Sequence, residues 1–467
     1  MKIRRFEVPG LAQYSYVVSA GGRAAVIDAM RDVEPYLDYI WQEDLTLTHI
    51  LETHIHADFA AGSTALAAAT GAKLVLSGHD EGEHYQYSMP HEPLVDGDTI
   101  EIGTVRLKAL HTPGHTPEHL SFVAFDTQRS FTEPSAVFSG DFLFVGSLGR
   151  PDLLGEDAKV GLAHRLYQSL HGSLASLPDG IQVYPGHGAG SLCGSGMSER
   201  SESTLGYERA TNPLFKLGEQ DFVREILSSV PPMPTYYPRM KALNAQGPPA
   251  LTSIPGQDAL SPKQFQEISA ASDVIIIDLR RPESFGGAHI PGAINIGAGQ
   301  NLSLWAGWML DADKRILLVS DSGDDEESRR ALVRVGLDNI QGFLKKGMPS
   351  WIETGLDFSR TTQLSIADVA NRDAAGLVVD VRSDEEWSSG HIEGALHIML
   401  GDVLNKMSEL PRNRSLITVC GSGYRSSIAA SLLAQHGFMT SSMDGGMTAW
   451  NEQRLPTITA EDSGGGS

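Results

Sequence analysis

The sequence predicts an α/β protein of about three domains, and three observations lead to this fold class. The chain has 467 residues, whereas a typical domain has ~150. Its second half contains two copies of a pattern of ~100 residues in which apolar strands alternate with helices. Its first half contains short strands of alternating polarity, with histidines near their ends.

The two copies of the repeat align over most of their length. The segment IIIDLRRPESFGGAHIPGAINI, from Ile275, matches VVDVRSDEEWSSGHIEGALHI, from Val378. Each copy continues with an apolar strand, a loop, a helix, and then GMPSW or GMTAW. Strands that alternate with helices at this spacing favour small parallel α/β domains. We therefore predict two such domains, at 255–360 and 361–458.

The first part of the chain has a different pattern. The stretches TVRLKAL (104–110) and AVFSGD (136–141) are predicted strands. From about 200 to 255 the chain is polar and rich in proline, and we expect a partly helical arm packed on this domain. We assign 1–254 to the first domain with its arm, and 459–467, which ends in GGGS, to a flexible tail.

The composition excludes several classes of partner. Lys and Arg total 36 against 58 Asp and Glu, a formal net charge of −22, so nucleic acid would be repelled. The sequence shows neither the apolar core of a signal peptide nor the ~18 apolar residues of a membrane span. The two cysteines, Cys193 and Cys420, lie too far apart for a disulfide framework. We expect a soluble protein of the reducing cytoplasm, with no nucleic-acid or membrane partner.

Four short motifs in the first 190 residues contain residue types that bind metals. They are ETHIHADFAAG from Glu52, HTPGHTPEH from His111, the strand-end residue Asp141, and YPGHGAG from Tyr184. This order of H-x-H-x-D, G-H, Asp and G-H resembles the metallo-β-lactamase superfamily. The resemblance implies an αββα sandwich for the first domain.

Phe59 departs from the superfamily pattern, which has a histidine after the H-x-H-x-D aspartate. Binuclear hydrolases of the superfamily use that histidine for a second zinc, which helps to generate the attacking hydroxide. Phenylalanine offers no lone pair, so a second metal would have only Asp58, His187 and a share of Asp141. We therefore expect one metal, with Asp58 and His187 as second-shell residues or alternative ligands.

A single metal has four candidate ligands: His54, His56, His115 and Asp141. If His56 stands back, two histidines and one carboxylate remain, which is the ligand set of non-haem Fe(II) oxygenases.

The branch that this pattern most resembles is the persulfide dioxygenases, iron enzymes related to glyoxalase II that oxidise glutathione persulfide to sulfite and glutathione. The resemblance implies an iron triad of His54, His115 and Asp141. It also implies that His56 and Asp58 are held near the iron.

The loop GRPDL, at 149–153, also matches this family. Arg150 and Asp152 could fix the loop beside the metal or form a plain surface pair, and the sequence leaves both interpretations open. His111 and His119 flank His115, and we expect them to be structural because the superfamily motif uses only the G-H histidine.

Cys420 begins a second candidate site, the loop CGSGYR. The loop follows an apolar strand and opens a helix, so the backbone N–H groups of Gly421, Ser422, Gly423 and Tyr424 can surround the sulfur. We expect an acidic, exposed thiol, with Arg425 able to hold an oxyanion. The loop, with DVR, GHIEGA and DGGM-x-x-W, resembles the rhodaneses.

The first repeat lacks this cysteine. Aligning LLVSD (317–321) with ITVC (417–420) puts Asp321 at the position of Cys420, before the acidic loop SGDDEES. We expect an inactive rhodanese-like domain, because a carboxylate cannot carry sulfane sulfur.

Cys193 follows the last histidine motif in GAGSLCGS. It could be a small buried filler or a substrate thiol that reaches the iron pocket, and both interpretations remain open.

The order of the domains resembles persulfide dioxygenase–sulfurtransferase fusions of bacterial sulfide detoxification. It implies Fe(II)-dependent oxidation of a low-molecular-weight thiol persulfide by O₂ to sulfite, coupled to sulfur transfer at Cys420 that gives thiosulfate. We expect one Fe(II) per chain, with zinc as the other candidate, and a homo-oligomer. Two alternatives are a zinc-dependent hydroxyacylglutathione hydrolase of the glyoxalase II type and a non-catalytic sulfur-carrier scaffold. Metal content separates the three.

Overall fold

The computed structural model describes residues 1–321, 323–371 and 376–459. Residues 460–467 of the predicted tail, and Ser322 of the predicted acidic loop, lie outside the described residues. Two compact units make up the chain: Met1–Ser253 with Val333–Gly336, and Ile254–Leu332 with the chain from Leu337 onward. No helix in the described part of the chain is long and apolar enough to cross a membrane.

Two six-stranded sheets form the first unit, and each follows the chain order. The strands of the first sheet are β1 (Lys2–Val8), β2 (Gln13–Ala20), β3 (Arg23–Ile27), β4 (Thr46–Leu51), β5 (Lys73–Ser77) and β6 (Glu92–Leu94). The strands of the second sheet are β7 (Thr99–Ile102), β8 (Val105–His111), β9 (Leu120–Asp126), β10 (Ala136–Gly140), β11 (Gln182–Pro185) and β12 (Ser203–Thr204).

The two sheets pack face to face because alternate residues of their strands are apolar on the inner side. In β10, Ala136 and Phe138 belong to the core between the sheets, whereas Val137 belongs to a second core under the helices. In β2, Tyr16 lies in the inner core, and the hydroxyl of Ser15 is hydrogen-bonded to Tyr36 of a helix. The layers are therefore helix, sheet, sheet and helix.

Six helices belong to this unit: α1 (Glu34–Gln42), α2 (Ser63–Thr70), α3 (Glu156–Gln168), α4 (Leu205–Thr211), α5 (Glu219–Ser228) and α6 (Tyr237–Gln246). Helix α2 follows β4 and the H-x-H-x-D loop. Leu166 of α3 and Phe222 of α5 cover the outer face of the second sheet.

Two five-stranded parallel sheets form the second unit, one for each repeat. The first contains β13 (Ala259–Leu260), β14 (Val274–Asp278), β15 (Ile294–Asn295), β16 (Arg315–Val319) and β17 (Ile340–Leu344). The second contains β18 (Thr362–Leu364), β19 (Leu377–Asp380), β20 (Leu396–His397), β21 (Leu416–Val419) and β22 (Thr440–Met443). The strand order is the same in both sheets, 13-17-16-14-15 and 18-22-21-19-20.

Nine helices connect these strands in the described residues: α7 (Pro262–Ser269), α8 (Pro282–Gly287), α9 (Leu302–Met309), α10 (Glu326–Val333), α11 (Gly347–Glu353), α12 (Ile366–Ala370), α13 (Asp384–Ser388), α14 (Tyr424–Gln435) and α15 (Gly446–Glu452). Matching tryptophans, Trp351 and Trp450, lie in the two cores. The predicted fold class, a two-sheet sandwich followed by two small parallel α/β folds, is confirmed.

Candidate functional site

Three predicted ligands meet at the edge of the sandwich, because each lies in a loop that follows a strand. His54 follows β4, His115 follows β8, and Asp141 follows β10 directly. One ligand atom from each lies within 4.8 Å of the other two. The Nε2 atoms of His115 and His54 are 3.5 Å and 3.9 Å from Asp141 Oδ2. All three side chains are buried.

The donor set of these three residues fits a divalent metal ion. Among the described residues, none of the three converging atoms has a hydrogen-bond partner, which is costly for buried polar atoms. The Nδ1 atom of His115 donates to the carbonyl oxygen of Arg150 (2.9 Å), so its Nε2 keeps the lone pair. Burial lowers the pKa of His54 and of His115 well below the ordinary value, so both rings are neutral and able to bind a metal.

Asp28, at the end of β3, orients the H-x-H-x-D loop. Its carboxylate accepts the backbone N–H of Thr53 (2.7 Å) and the Thr53 hydroxyl (2.9 Å), so the Thr53 oxygen must accept from His54 Nδ1 (2.9 Å). His56 Nε2 also donates to Asp28 (3.1 Å), and His56 is not one of the three converging residues. Asp28 has a φ of 55°, a left-handed conformation that aspartate adopts more readily than most residues.

The neighbouring position contains Asp58, His187 and Cys193, which also converge within 4.8 Å. His187 donates from Nδ1 to Asp141 (2.7 Å) and from Nε2 to Asp58 (2.8 Å). Burial opposes the charge on this ring, but the two carboxylates together raise the pKa of His187 well above its ordinary value. An imidazolium therefore joins the two aspartates. The Phe59 ring is buried, 4.4 Å from the ring of His56.

Cys193 is buried next to this cluster. Burial, together with the carboxylates of Asp58 and Asp141, raises the pKa of its thiol well above the ordinary value. The thiol therefore lies beside the metal pocket in its protonated form.

The GRPDL loop packs directly on the ligands. A Cβ on Gly149 would lie 1.8 Å from the carbonyl oxygen of Asp141, so only glycine fits there. Arg150 is buried, and it donates to both oxygens of Asp152 (2.7 and 2.8 Å) and to the carbonyl of Leu192 (2.9 Å). The arginine thus fixes the carbonyl that orients His115.

The other histidines of this motif contact the protein. His119 Nε2 accepts the backbone N–H of Asp141 (3.1 Å), and its Nδ1 is hydrogen-bonded to Thr112 (2.9 Å). Burial lowers the pKa of His119 to about 3. His111 donates to the carbonyl of Pro117 (2.8 Å).

Helix α6 supports the H-x-H-x-D loop from the predicted arm. Asn244 donates to the carbonyls of His56 (2.8 Å) and Phe59 (2.7 Å) and accepts the N–H of Ala61 (2.8 Å). Buried Lys241 donates to the carbonyl of Ile55 (2.9 Å), and Tyr236 donates to that of Asp58 (2.9 Å). No sequence motif marks these supporting residues of the arm. Their only sign in the sequence is that they are polar residues in a segment expected to pack on the first domain.

The Cys420 loop lies between β21 and α14. The N–H of Gly423 donates to Cys420 Sγ (3.1 Å), as the loop chemistry predicts. The expected exposure is wrong, because the side chain of Cys420 is only 1% exposed. The first turn of α15 closes over the loop, where the N–H groups of Met447 and Thr448 donate to the carbonyls of Cys420 and Gly421 (2.8 and 2.9 Å).

The last two residues of this loop are already hydrogen-bonded. Arg425 donates to both carboxylate oxygens of Glu386 (2.6 and 2.7 Å). The hydroxyl of Tyr424 donates to the carbonyl of Gly297 in the first repeat (2.8 Å). Ser422, at the tip, is exposed.

The expected alignment of Asp321 with Cys420 is wrong by one residue. Asp278, at the end of β14, pairs with Val319 of β16 in the first repeat, and Asp380, at the end of β19, pairs with Val419 of β21 in the second. The next residues, Ser320 and Cys420, therefore correspond.

The loop contacts agree with this register. The N–H of Gly323 donates to Ser320 Oγ (3.0 Å), as that of Gly423 does to Cys420 Sγ (3.1 Å). The first repeat thus has a hydroxyl at the position of the thiol, and an alcohol cannot carry sulfane sulfur at ordinary pH because its pKa is too high.

Comparisons with known proteins agree with this geometry. The family profile described as the metallo-beta-lactamase superfamily matches residues 8–187. The profile described as the rhodanese-like domain matches 261–354 and 365–453.

Two individual relatives each match less than half of the chain. The mitochondrial persulfide dioxygenase ETHE1 of Bos taurus is 30% identical over 233 residues, which cover 48% of this chain and 79% of that protein. A hydroxyacylglutathione hydrolase of Polaromonas sp. is 35% identical over 185 residues, 37% of this chain. The chain spans only 61% of that hydrolase's length.

A solved structure extends the similarity beyond the first unit. A metallo-beta-lactamase from Staphylococcus aureus subsp. aureus COL is 35% identical, with a TM-score of 0.66 over 74% of this chain and 99% of that one. With the relatives and profiles above, this similarity shows that the chain belongs to the metallo-β-lactamase superfamily, as an ETHE1-related member that carries tandem rhodanese-like domains.

Proposed function

We propose that the protein oxidises a low-molecular-weight thiol persulfide, such as glutathione persulfide, to sulfite at one Fe(II) and transfers sulfur at Cys420 to give thiosulfate. This function belongs to sulfur metabolism, which the similarity to a persulfide dioxygenase and to rhodanese-like domains supports. It assigns the iron to the domain at 1–254 and the transfer to the domain at 361–458, with 255–360 inactive.

One observation carries the proposal. The converging atoms of His54, His115 and Asp141 have no protein partner among the described residues, whereas His187 already joins Asp141 to Asp58. The site of His54, His115 and Asp141 is therefore prepared for a metal, whereas at the neighbouring site His187 is already hydrogen-bonded through both ring nitrogens. Two histidines and one carboxylate favour iron with open positions.

When bound, Fe(II) would supply the redox chemistry that O₂ requires. The chain's own residues prepare the pocket: Asp28 and Arg150 fix the ligand rings, and the buried ring of Phe59 packs against His56. The overall reaction is RSSH + O₂ + H₂O → RSH + SO₃²⁻ + 2 H⁺. Cys193 lies beside this pocket as a buried, protonated thiol, which favours the role of a packing residue over that of a nucleophile.

The second step transfers sulfur from Cys420. A second RSSH first gives its outer sulfur to the Cys420 thiolate and releases RS⁻. Sulfite then attacks the outer sulfur of the Cys420 persulfide, so that an S–S bond forms in thiosulfate. The S–S bond to Cys420 breaks, and its electron pair stays on Sγ.

Cys420→Ser tests the coupling. The substitution removes the nucleophile and leaves the metal ligands unchanged, so O₂ uptake with glutathione persulfide should continue while the product changes from thiosulfate to sulfite. Both sulfur species are measured by chromatography against O₂ consumed. Wild-type thiosulfate yield from this variant would refute the coupling. Loss of O₂ uptake would mean that Cys420 supplies the persulfide that is oxidised at the iron.

A zinc-dependent thioester hydrolase is the second candidate, because the chain is 35% identical to a hydroxyacylglutathione hydrolase over 185 residues. Anaerobic purification followed by metal analysis separates the two. We expect about one iron per chain, and two tightly bound zinc ions with thioester hydrolysis would favour the hydrolase.

A further inference from the structure

We propose that Glu386 is a positioning residue for sulfur transfer, which holds Arg425 at the persulfide loop so that oxyanion acceptors can be bound. The inference rests on the proposed transfer at Cys420 and adds the class of acceptor. It predicts that the rate of sulfur transfer to sulfite, whose oxygens a guanidinium can bind, depends on Glu386. The rate of transfer to a thiol acceptor should not depend on it.

The geometry joins the pair to the loop. Arg425 Nη1 and Nη2 lie 2.6 and 2.7 Å from the two Glu386 oxygens. Arg425 Nη2 and Glu386 Oε1 also lie 3.3 and 3.7 Å from the point where a Cβ on Gly421 would be. The paired groups therefore lie against the residue that follows Cys420, and both remain partly exposed to solvent.

Glu386 is itself held in place before any acceptor arrives. The N–H and the hydroxyl of Ser383 both donate to Glu386 Oε2 (3.1 Å each), and the N–H of Glu386 donates back to Ser383 (3.2 Å). A guanidinium has five N–H donors, and the pair uses two of them. The remaining donors of Arg425 are therefore oriented by a fixed partner, which reduces the entropy lost when an oxyanion binds.

Comparing the two repeats shows which ion pairs the fold requires, because both repeats have the same strand order. The buried ion pair of Asp380 with Arg382 (2.7 Å) is kept in the first repeat as Asp278 with Arg280 (2.6 Å). A contact retained in both copies serves the fold.

The pair at the loop is not kept. Counting back 102 residues, the spacing that aligns Asp278 with Asp380, places Ser284 at the position of Glu386. The loop register that aligns Ser320 with Cys420 places Asp325 at the position of Arg425. The carboxylate, the guanidinium and the thiol are therefore all absent together from a copy with the same strand order.

Helix capping alone does not explain Glu386. Its capping box with Ser383 stabilises α13, but the corresponding helix α8 forms without any side-chain cap. The hydrogen bonds with Ser383 fix the Glu386 carboxylate, and this carboxylate in turn accepts the two hydrogen bonds from Arg425.

The test compares two acceptors on the full-length chain. Cys420 is loaded with sulfane sulfur, and the rate of its discharge is measured with sulfite and with dithiothreitol. Glu386→Gln keeps the shape and the capping hydrogen bonds but removes the charge, and exposed Glu385→Gln on the same helix is the matched control. We expect a loss of roughly tenfold or more in kcat/KM for sulfite, a change of less than about twofold for dithiothreitol, and no change in the control.

Two results would overturn the inference: an equal loss with both acceptors, which indicates a structural role, or no loss with sulfite. Cys420→Ser serves as the reference for the proposed function. If that variant still transfers sulfur, the proposed function is wrong. If it does not, and the acceptor ratio of Glu386→Gln equals that of the wild type, only the role of Glu386 is wrong.

Discussion

Asn244→Ala should loosen the H-x-H-x-D loop without changing a predicted metal ligand. The Asn244 amide makes three hydrogen bonds, to the carbonyls of His56 and Phe59 and from the N–H of Ala61. Its side chain is completely buried, so water cannot replace these bonds unless the loop opens.

The magnitude follows from the number of lost bonds. Each hydrogen bond contributes about 1 kcal/mol net, and a buried group left without a partner costs more. Three lost bonds therefore give about 3 to 4 kcal/mol, a large part of the usual stability of a domain. Since every tenfold change in an equilibrium corresponds to ~1.4 kcal/mol, opening of the loop should become at least ~100-fold more frequent.

Hydrogen exchange measured by mass spectrometry reports this local opening, whereas one global unfolding curve is ambiguous for a chain with two units. Peptides covering residues 52–62 should exchange about a hundredfold faster in Asn244→Ala. Asn212→Ala is the control, because buried Asn212 accepts only the N–H of Leu214 (3.1 Å). Equal exchange of residues 52–62 in the two variants would refute the view that α6 supports the loop.

Two further predictions concern Phe59 and Glu386. Phe59→His should raise the number of metals bound per chain at saturating metal and lower O₂ uptake, because the new imidazole adds a ligand beside Asp58. Phe59→Leu is the control for the loss of the aromatic ring. An unchanged number of metals per chain in the histidine variant would contradict the geometry. Burial alone would raise the pKa of Glu386, but the Arg425 hydrogen bonds lower it from 4.5 to about 2, so the folded state binds this proton less readily than the unfolded state. The pair should therefore stabilise the second unit above about pH 4.5 and lose that effect as the pH falls towards about 2. Hydrogen exchange of peptides from the second unit, followed against pH, should show this dependence in Glu385→Gln and lack it in Glu386→Gln.

Much of the fold could be predicted because two kinds of pattern are visible in one sequence. The repeat shows itself by residues that match 102 positions apart, and the metal motifs cluster at the ends of short strands. His54, His115 and Asp141 could be grouped through the resemblance to the persulfide dioxygenases, and they converge because the loops after β4, β8 and β10 lie at the same edge of the sandwich. The tautomers of the two histidines and the role of Asp28 could not be predicted from the sequence, because they depend on individual hydrogen bonds.

The errors have physical causes as well. The run LLVSD allows two registers, and only pairing of Val319 with the neighbouring strand selects Ser320 as the partner of Cys420. The prediction that Cys420 is exposed was wrong because the first turn of α15, more than twenty residues later in the sequence, covers the loop. The sequence also gives no sign that Arg425 is paired, since Glu386 lies 39 residues before it.

The support of the metal loop by α6 has a consequence for the order of events during synthesis. The contacts of Asn244 with the loop join residues 183 to 188 positions apart. All the predicted ligands are made by His187, but Asn244 emerges 57 residues later (244 minus 187), which is roughly 3 to 11 seconds at ~5–20 residues per second. In that interval the growing chain has its ligands but lacks the helix that holds their loop. Stable metal loading is therefore expected to follow the docking of α6, and a fragment that stops near residue 200 should bind its metal only loosely.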